Sequence, residues 1–318
     1  MKQVYVSRRL PELAMKKLAE VCSYDVNPED RPATREELIF AVKNYSAIIS
    51  MLNDNIDAEL ISQAGSNLKL IANYGVGFNN IDVKAANAKG IYVSNTPDVL
   101  TDATADLAFA LMFSAARRVV EGDNIARKAS FYWSPEYMLG YDITGRTLGI
   151  IGSGRIGSNF GKKAALGFRM NILYYGRHNS EELDAVGGKL VSLDELLSKS
   201  DYISLHVPLT PETKHMLGAA EFAKMKNTAI LINTARGPVI AEEALAQALK
   251  NHTIAAAGLD VYEHEPQVHP LLKELDNVVL MPHVGSATFD ARTNMGLMDV
   301  SNIAAVLSGK LPPNQVRV

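Results

Sequence analysis

An apolar run, Leu148–Ile151, leads directly into Gly152-Ser153-Gly154-Arg155-Ile156-Gly157, and a helical pattern, Ile156–Leu166, starts inside that motif. A glycine string of this kind is common on its own. Between a strand and the helix it opens, it constrains the fold strongly. Gly152 permits the tight turn, Gly154 lets backbone approach a pyrophosphate, and Gly157 lets the helix pack closely on the strand. The helix N-terminus, with Arg155 and Ile156 in its first turn, then offers free N–H groups and partial positive charge to phosphates.

The motif sits in a long alternation of strands and helices. Leu148–Ile151, Met170–Tyr175, Tyr202–His206, Ala229–Asn233, Ala255–Leu259 and Val278–Met281 read as six strands. The helical patterns Ile156–Leu166, Leu193–Lys199, Ala219–Lys224 and Ala241–Leu249 lie between them. Six strands joined in this way predict a complete doubly wound dinucleotide-binding sheet. An earlier series predicts a second parallel sheet. Its strands are Val4–Val6, Ala47–Ser50, Leu68–Ile71 and Ile91–Val93, with helices Pro11–Val21 and Ala58–Ala64.

Pro97–Thr101 interrupts this rhythm and leads into an apolar helix, Ala103 to about Arg118, with Thr101 or Asp102 as its cap. An aromatic segment follows, residues 129–145, carrying Tyr132, Trp133, Tyr137 and Tyr141, and the last helix runs from about Thr288 to Leu307. A length of 318 residues fits two domains.

Composition removes other classes. With 32 Lys+Arg against 35 Asp+Glu there is no basic surplus for nucleic acid. One cysteine, Cys22, excludes a disulfide framework and a cysteine-rich metal site, and reads as a buried, inert thiol. No metal site is expected. The N-terminus carries no signal peptide, and the longest apolar stretch, Leu107–Ala116, is far short of the roughly 20 residues of a membrane span. A soluble, cytoplasmic protein is expected.

Two features refine the chemistry. Domains that bind NAD usually place an acid about 20 residues after the glycine motif, on the ribose hydroxyls. Here the second strand ends Tyr174-Tyr175-Gly176-Arg177-His178, without an acid. Gly176 leaves room for a 2′-phosphate, Arg177 can grip it and His178 can add a donor, so NADP(H) is expected to be preferred, with NAD(H) usable. Arg236, Glu265 and His283 each follow a late strand. Ligands of open α/β sheets sit outside those carboxyl ends. Together the three residues can bind an anion, tune an imidazole and move a proton.

The chain resembles the NAD(P)-dependent D-isomer-specific 2-hydroxyacid dehydrogenases. The resemblance is carried, in family order and over nearly the whole chain, by residues 73–82 (NYGVGFNNID), 95–101 (NTPDVLT), the glycine motif, 206–210 (HVPLT), 232–237 (INTARG), 257–262 (AGLDVY) and 282–287 (PHVGSA). Leu139–Asp142 and Tyr175–Arg177 favour the glyoxylate/hydroxypyruvate reductase branch.

The resemblance implies a flavodoxin-like α/β substrate domain, residues 1–100 with a returning segment 285–318, into which a Rossmann cofactor domain, 101–284, is inserted. It places the active site in the cleft between them, and implies a homodimer formed through the helix after Thr101 and the loop around Trp133. It assigns Arg236, Glu265 and His283 to catalysis. Glu265 is preferred to Glu263 because it directly precedes the proline. The backbone of Val76 and Gly77, with Arg236, would receive the substrate carboxylate, His283 would also meet the substrate, and Leu52, Tyr74, Phe78 and the partner subunit's Trp133 would shape the pocket. Thr101, Gly152, Gly154, Gly157, His206, Val207, Pro208, Thr213, Thr234, Ala235, Arg236, Asp260, His283 and Gly285 match cofactor positions. Asp260 would hold the nicotinamide carboxamide.

The implied reaction reduces a small 2-oxo acid to a D-2-hydroxy acid. Arg236 stabilises the developing oxyanion, and His283, its charged form favoured by Glu265, donates the proton. Phosphoglycerate dehydrogenase-like activity, 2-ketogluconate reduction and a dinucleotide-sensing corepressor are the alternatives. The absence of Lys or Arg from Tyr74–Asn80 weighs against a phosphorylated substrate.

Overall fold

The structure, a computed structural model, describes residues 3–128 and 130–317; Ala129, the first residue of the aromatic segment, lies outside them. The chain divides into two units, Met1–Leu100 with Ser286–Val318, and Thr101–Gly285.

The first unit carries β1 (Val4–Val6), β2 (Tyr24–Val26), β3 (Ala47–Ser50), β4 (Leu70–Asn73) and β5 (Tyr92–Ser94), all parallel, in the order β2-β1-β3-β4-β5. This is the flavodoxin-like order. β3 and β4 are buried along their whole length. They read as near-continuous apolar runs because both faces of a central parallel strand are covered. β2 carries no such run. Its Tyr-Asp-Val lies half-buried at the edge, so the sequence pattern passes over it. The helix Arg35–Asn44 is announced locally instead: Thr34 and Glu37 form a reciprocal capping box.

The second unit carries β6 (Thr147–Ile151), β7 (Asn171–Tyr175), β8 (Lys189–Leu190), β9 (Tyr202–Leu205), β10 (Ile230–Asn233), β11 (Ala256–Leu259) and β12 (Val278–Leu280). Their order is β12-β11-β10-β9-β6-β7-β8, again all parallel. Among the described residues the sheet thus has seven strands where six were expected. β8 is a two-residue exposed edge with no apolar signal. Successive residues feed opposite cores. Ile150, Ile230 and Ile232 pack with Phe109 and Phe160 on one face, and Ile151, Leu231 and Leu259 pack with Phe222 and Leu245 on the other. This two-residue alternation is what covers a sheet with helices on both sides.

Some boundaries differ from expectation. The apolar helix starts at Thr101, so Thr101 and Asp102 lie within it and do not cap it. Asp102 pairs instead with Lys163 at 2.8 Å, on the helix Arg155–Phe168. The first helix ends at Ala116, short of Arg118, which at φ 52° leads into a second helix over Val119–Ala126. Cys22 is half-buried, not buried, and burial pushes its thiol up to about 11, which keeps it unreactive. Among the described residues no helix is long and apolar enough to cross a membrane.

Candidate active site

The strand order of the second unit reverses at β6, whose neighbours are β7 and β9. The turns after β6 and β9 therefore leave the sheet side by side. Gly152, at φ 101°, occupies the contact. A Cβ there would fall 2.7 Å from the carbonyl carbon of His206. At Gly157 a Cβ would lie 2.0 Å from the Gly152 oxygen, whereas at Gly154 it would meet no protein atom within 4 Å. Two glycines thus allow the chain to pack on itself, and the third faces open space. The first hydrogen bond of the following helix runs from Ser158 N–H to the Gly154 carbonyl, so the amides of Ile156 and Gly157 precede the helical ladder. Thr234 Oγ1 is buried without a hydrogen-bond partner among the described residues. An open glycine turn under unladdered amides is a cradle that fits the pyrophosphate of a dinucleotide.

Gly176 lies against this turn, with Ser153 Oγ 2.6 Å from the position of a Cβ. Arg177 and His178 follow, both exposed. The charge of Arg177 reaches Glu212, whose carboxyl is held below its ordinary range first by Thr210 and in part by Arg177. Thr213 closes this loop on itself, its hydroxyl donating to the Pro208 carbonyl at 2.7 Å and accepting from Thr210 N–H at 2.8 Å. Val207 and Pro208 form the start of the same loop. The His206 imidazole meets Ser204 Oγ at 2.9 Å, packs on Phe160, and is lowered by burial to about 3, so it stays neutral.

Beyond β10, Asn233 accepts Ala235 N–H at 3.0 Å and donates to the Arg236 carbonyl at 3.1 Å, which folds the Arg236 turn. Burial draws the Arg236 guanidinium below its ordinary value, with Glu265 opposing. Glu265 Oε2 lies 2.8 Å from His283 Nδ1, and Oε1 accepts Tyr262 N–H at 3.1 Å. Burial alone would raise the Glu265 carboxyl. His283, the Tyr262 amide and Arg236 outweigh burial and hold it below its ordinary range. His283 sits in the left-handed region at φ 55°, a conformation that persists only where the surroundings impose it.

Asp260 supplies that constraint. It is 1% exposed, its carbonyl accepts His283 N–H at 2.9 Å, and its two carboxylate oxygens accept Val284 and Gly285 N–H, each at 2.8 Å. Asp260 therefore holds the His283 turn, and any carboxamide contact falls to its remaining acceptor capacity. Gly285 also faces Thr104, one turn beyond Thr101.

The first unit presents the Val76–Gly77 loop. Asn95 Nδ2 donates to the Val76 carbonyl at 2.8 Å and Asn73 Nδ2 to the Gly77 carbonyl at 2.8 Å. Asn80 braces Asn73 and donates to the Met51 and Asp54 carbonyls. The carbonyls are thus tied back, while the Val76 and Gly77 N–H groups donate to no other group among the described residues. Consecutive free amides of this kind form an anion-binding concavity. Leu52 packs directly on Gly75 at the base of the loop. None of these asparagines was singled out from sequence. Their clustering at the ends of β4 and β5 was the available signal.

The chain belongs to the D-isomer specific 2-hydroxyacid dehydrogenase family, whose NAD binding domain matches residues 109–285. Within that family it falls in the glyoxylate reductase branch. It is 48% identical to the glyoxylate reductase of Korarchaeum cryptofilum, over 99% of this chain and 95% of that one. A solved structure from Thermus thermophilus superposes with a TM-score of 0.91 at 42% identity, covering 99% of this chain and 100% of the other. The glyoxylate reductase structure from Paecilomyes thermophila gives 0.87 at 35%, covering 99% and 98%. The protein is an NAD(P)-dependent D-2-hydroxyacid dehydrogenase, acting as a reductase of 2-oxo acids.

Proposed function

We propose that the enzyme reduces small, unphosphorylated 2-oxo acids of the glyoxylate and hydroxypyruvate type, prefers NADPH, and uses His283 as the proton donor. The observation that carries this reading is the pairing of His283 Nδ1 with a Glu265 carboxyl held below its ordinary range. An ionised carboxylate accepts, so Nδ1 carries a hydrogen and Nε2 is the nitrogen that exchanges a proton with substrate.

Thr101–Gly285 is assigned the dinucleotide and the unit built on β1–β5 the substrate. The reduced nicotinamide, when bound, supplies the hydride. The Ile156 and Gly157 amides hold the pyrophosphate, and Arg177 with His178 holds the 2′-phosphate. The Val76 and Gly77 amides receive the substrate carboxylate. Arg236 stabilises negative charge on the keto oxygen, and His283 protonates that oxygen. Arg236 is half-buried, and a guanidinium, protonated at any working pH, acts there more strongly than in water.

Glyoxylate reductases among the relatives support the substrate class. The carboxylate loop holds no second cation for a phosphate. A homodimer belongs to the same reading, supported by exposed Phe131, Tyr132 and Trp133, the last 82% exposed. Catalytic efficiency on glyoxylate, hydroxypyruvate, 2-ketogluconate and phosphohydroxypyruvate, each with NADPH and NADH, tests it. The first two acids with NADPH should lead, and comparable efficiency on phosphohydroxypyruvate would contradict the reading.

A further inference from the structure

Glu242 and Glu263 exchange hydrogen bonds across 21 positions of chain. Glu242 N–H donates to Glu263 Oε2 at 3.2 Å, and Glu263 N–H donates to Glu242 Oε2 at 2.6 Å. The other Glu263 oxygen meets His215 Nε2 at 2.5 Å, and the other Glu242 oxygen accepts His269 N–H at 3.0 Å. Glu242 is only 7% exposed. Burial alone would raise the Glu263 carboxyl. His215 and the Glu242 amide, with His264 in support, hold it below its ordinary range, so it remains an acceptor at neutral pH.

This clasp fastens the turn that carries Glu265. Tyr262, next to Glu263, donates its N–H to Glu265 Oε1 and its hydroxyl to the Met281 carbonyl at 2.8 Å, two residues before His283. Gly237, next to Arg236, lies against the same turn, where a Cβ would fall 1.8 Å from the Tyr262 carbonyl carbon. His215 closes the third side, its backbone N–H donating to the Pro238 carbonyl at 2.8 Å. The Arg236 turn, the Glu265 turn and the chain beyond Thr213 therefore converge on Glu263.

We infer that Glu263, clasped to Glu242 and His215, is a positioning residue for the reaction: it fixes the turn that delivers Glu265 to His283. The inference rests on the proposed roles of Glu265 and His283. Displacing a group by about 1 Å can cost up to roughly a hundredfold in rate.

A double-mutant cycle on the full chain, with glyoxylate and NADPH, tests it. Glu263→Ala should lower kcat about tenfold to a hundredfold. It should leave the KM for glyoxylate within about twofold and move the alkaline limb of the pH profile downward. In a Glu265→Ala background the same substitution should cost less than about twofold, because the contact it positions is already gone. Glu263→Gln, which keeps shape and one acceptor oxygen, should recover most of kcat. A merely structural residue would lower the melting temperature without moving the limb. Equal losses in both backgrounds, or an unmoved limb, overturn the inference. If Glu265→Ala itself changes neither kcat nor the limb, the reading of the pair fails and the inference falls with it. If Glu265→Ala acts and Glu263→Ala does not, the inference alone fails. Should the alanine variant not fold, Glu242→Gln takes its place in the cycle.

Discussion

Glu265 lies 2.8 Å from Nδ1 of His283, and both residues leave the sheet after neighbouring strands, β11 and β12. Sequence separation between them is 18 residues, so only the strand pairing brings acid and imidazole together.

That contact sets a pH dependence. The Glu265 carboxyl is held below its ordinary range, so its charged contact with the His283 Nδ1–H is available above the ordinary carboxylate pKa and is lost as pH falls through the lowered one. Glu265→Gln removes the charge that favours imidazolium. Reduction should survive, with its alkaline limb displaced to lower pH. An unchanged profile of kcat/KM against pH would count against the pairing.

The carboxylate loop gives a second expectation. Asn95 ties back the Val76 carbonyl, and a hydrogen bond of this kind contributes about 0.5–1.5 kcal/mol. Asn95→Ala should raise the KM for glyoxylate by roughly threefold to tenfold with kcat nearly unchanged, since ground-state and transition-state carboxylate are held alike. A fall in kcat at constant KM would place Asn95 elsewhere in the mechanism.

Cofactor choice should turn on Arg177. A hydrogen bond to a charged group contributes about 1.5–3 kcal/mol, less where solvent screens it, and Arg177 is exposed. Arg177→Ala should weaken NADPH by several-fold up to about tenfold and leave NADH almost unaltered. Equal losses for both cofactors would remove Arg177 from 2′-phosphate recognition.

Asp299, in the helix Phe289–Leu307, is 0% exposed, and neither carboxylate oxygen has a hydrogen-bond partner among the described residues. Burial raises its pKa well above the ordinary value. The unfolded chain therefore releases this proton first, and stability falls as pH rises from about 4 toward the folded pKa. Asp299→Asn should flatten that decline. Each kcal/mol recovered would lift the melting temperature by roughly 2–4 °C, so the gain over wild type should be larger at pH 8 than at pH 5. A gain that is the same at both values would contradict the account.

What could be read from sequence follows from where the signal lies. Central strands such as Ile230–Asn233 are buried on both faces and announce themselves as apolar runs, and the glycine turn carries its spacing locally. β2 and β8 lie at sheet edges with too few apolar residues to stand out. The polar clasps were hidden for another reason. Asn73 with Gly77, Asp260 with Gly285, and Glu242 with Glu263 are side-chain-to-backbone bonds, and no periodicity records them.

The central claim is that His283 gives the proton. The most direct measurement is kcat for glyoxylate reduction by His283→Ala, with NADPH affinity measured separately by quenching of protein fluorescence. Loss of a general acid should lower kcat by about 10²–10⁴-fold, with NADPH affinity within a few-fold of wild type. Turnover close to wild type in a variant that still binds NADPH would contradict the account.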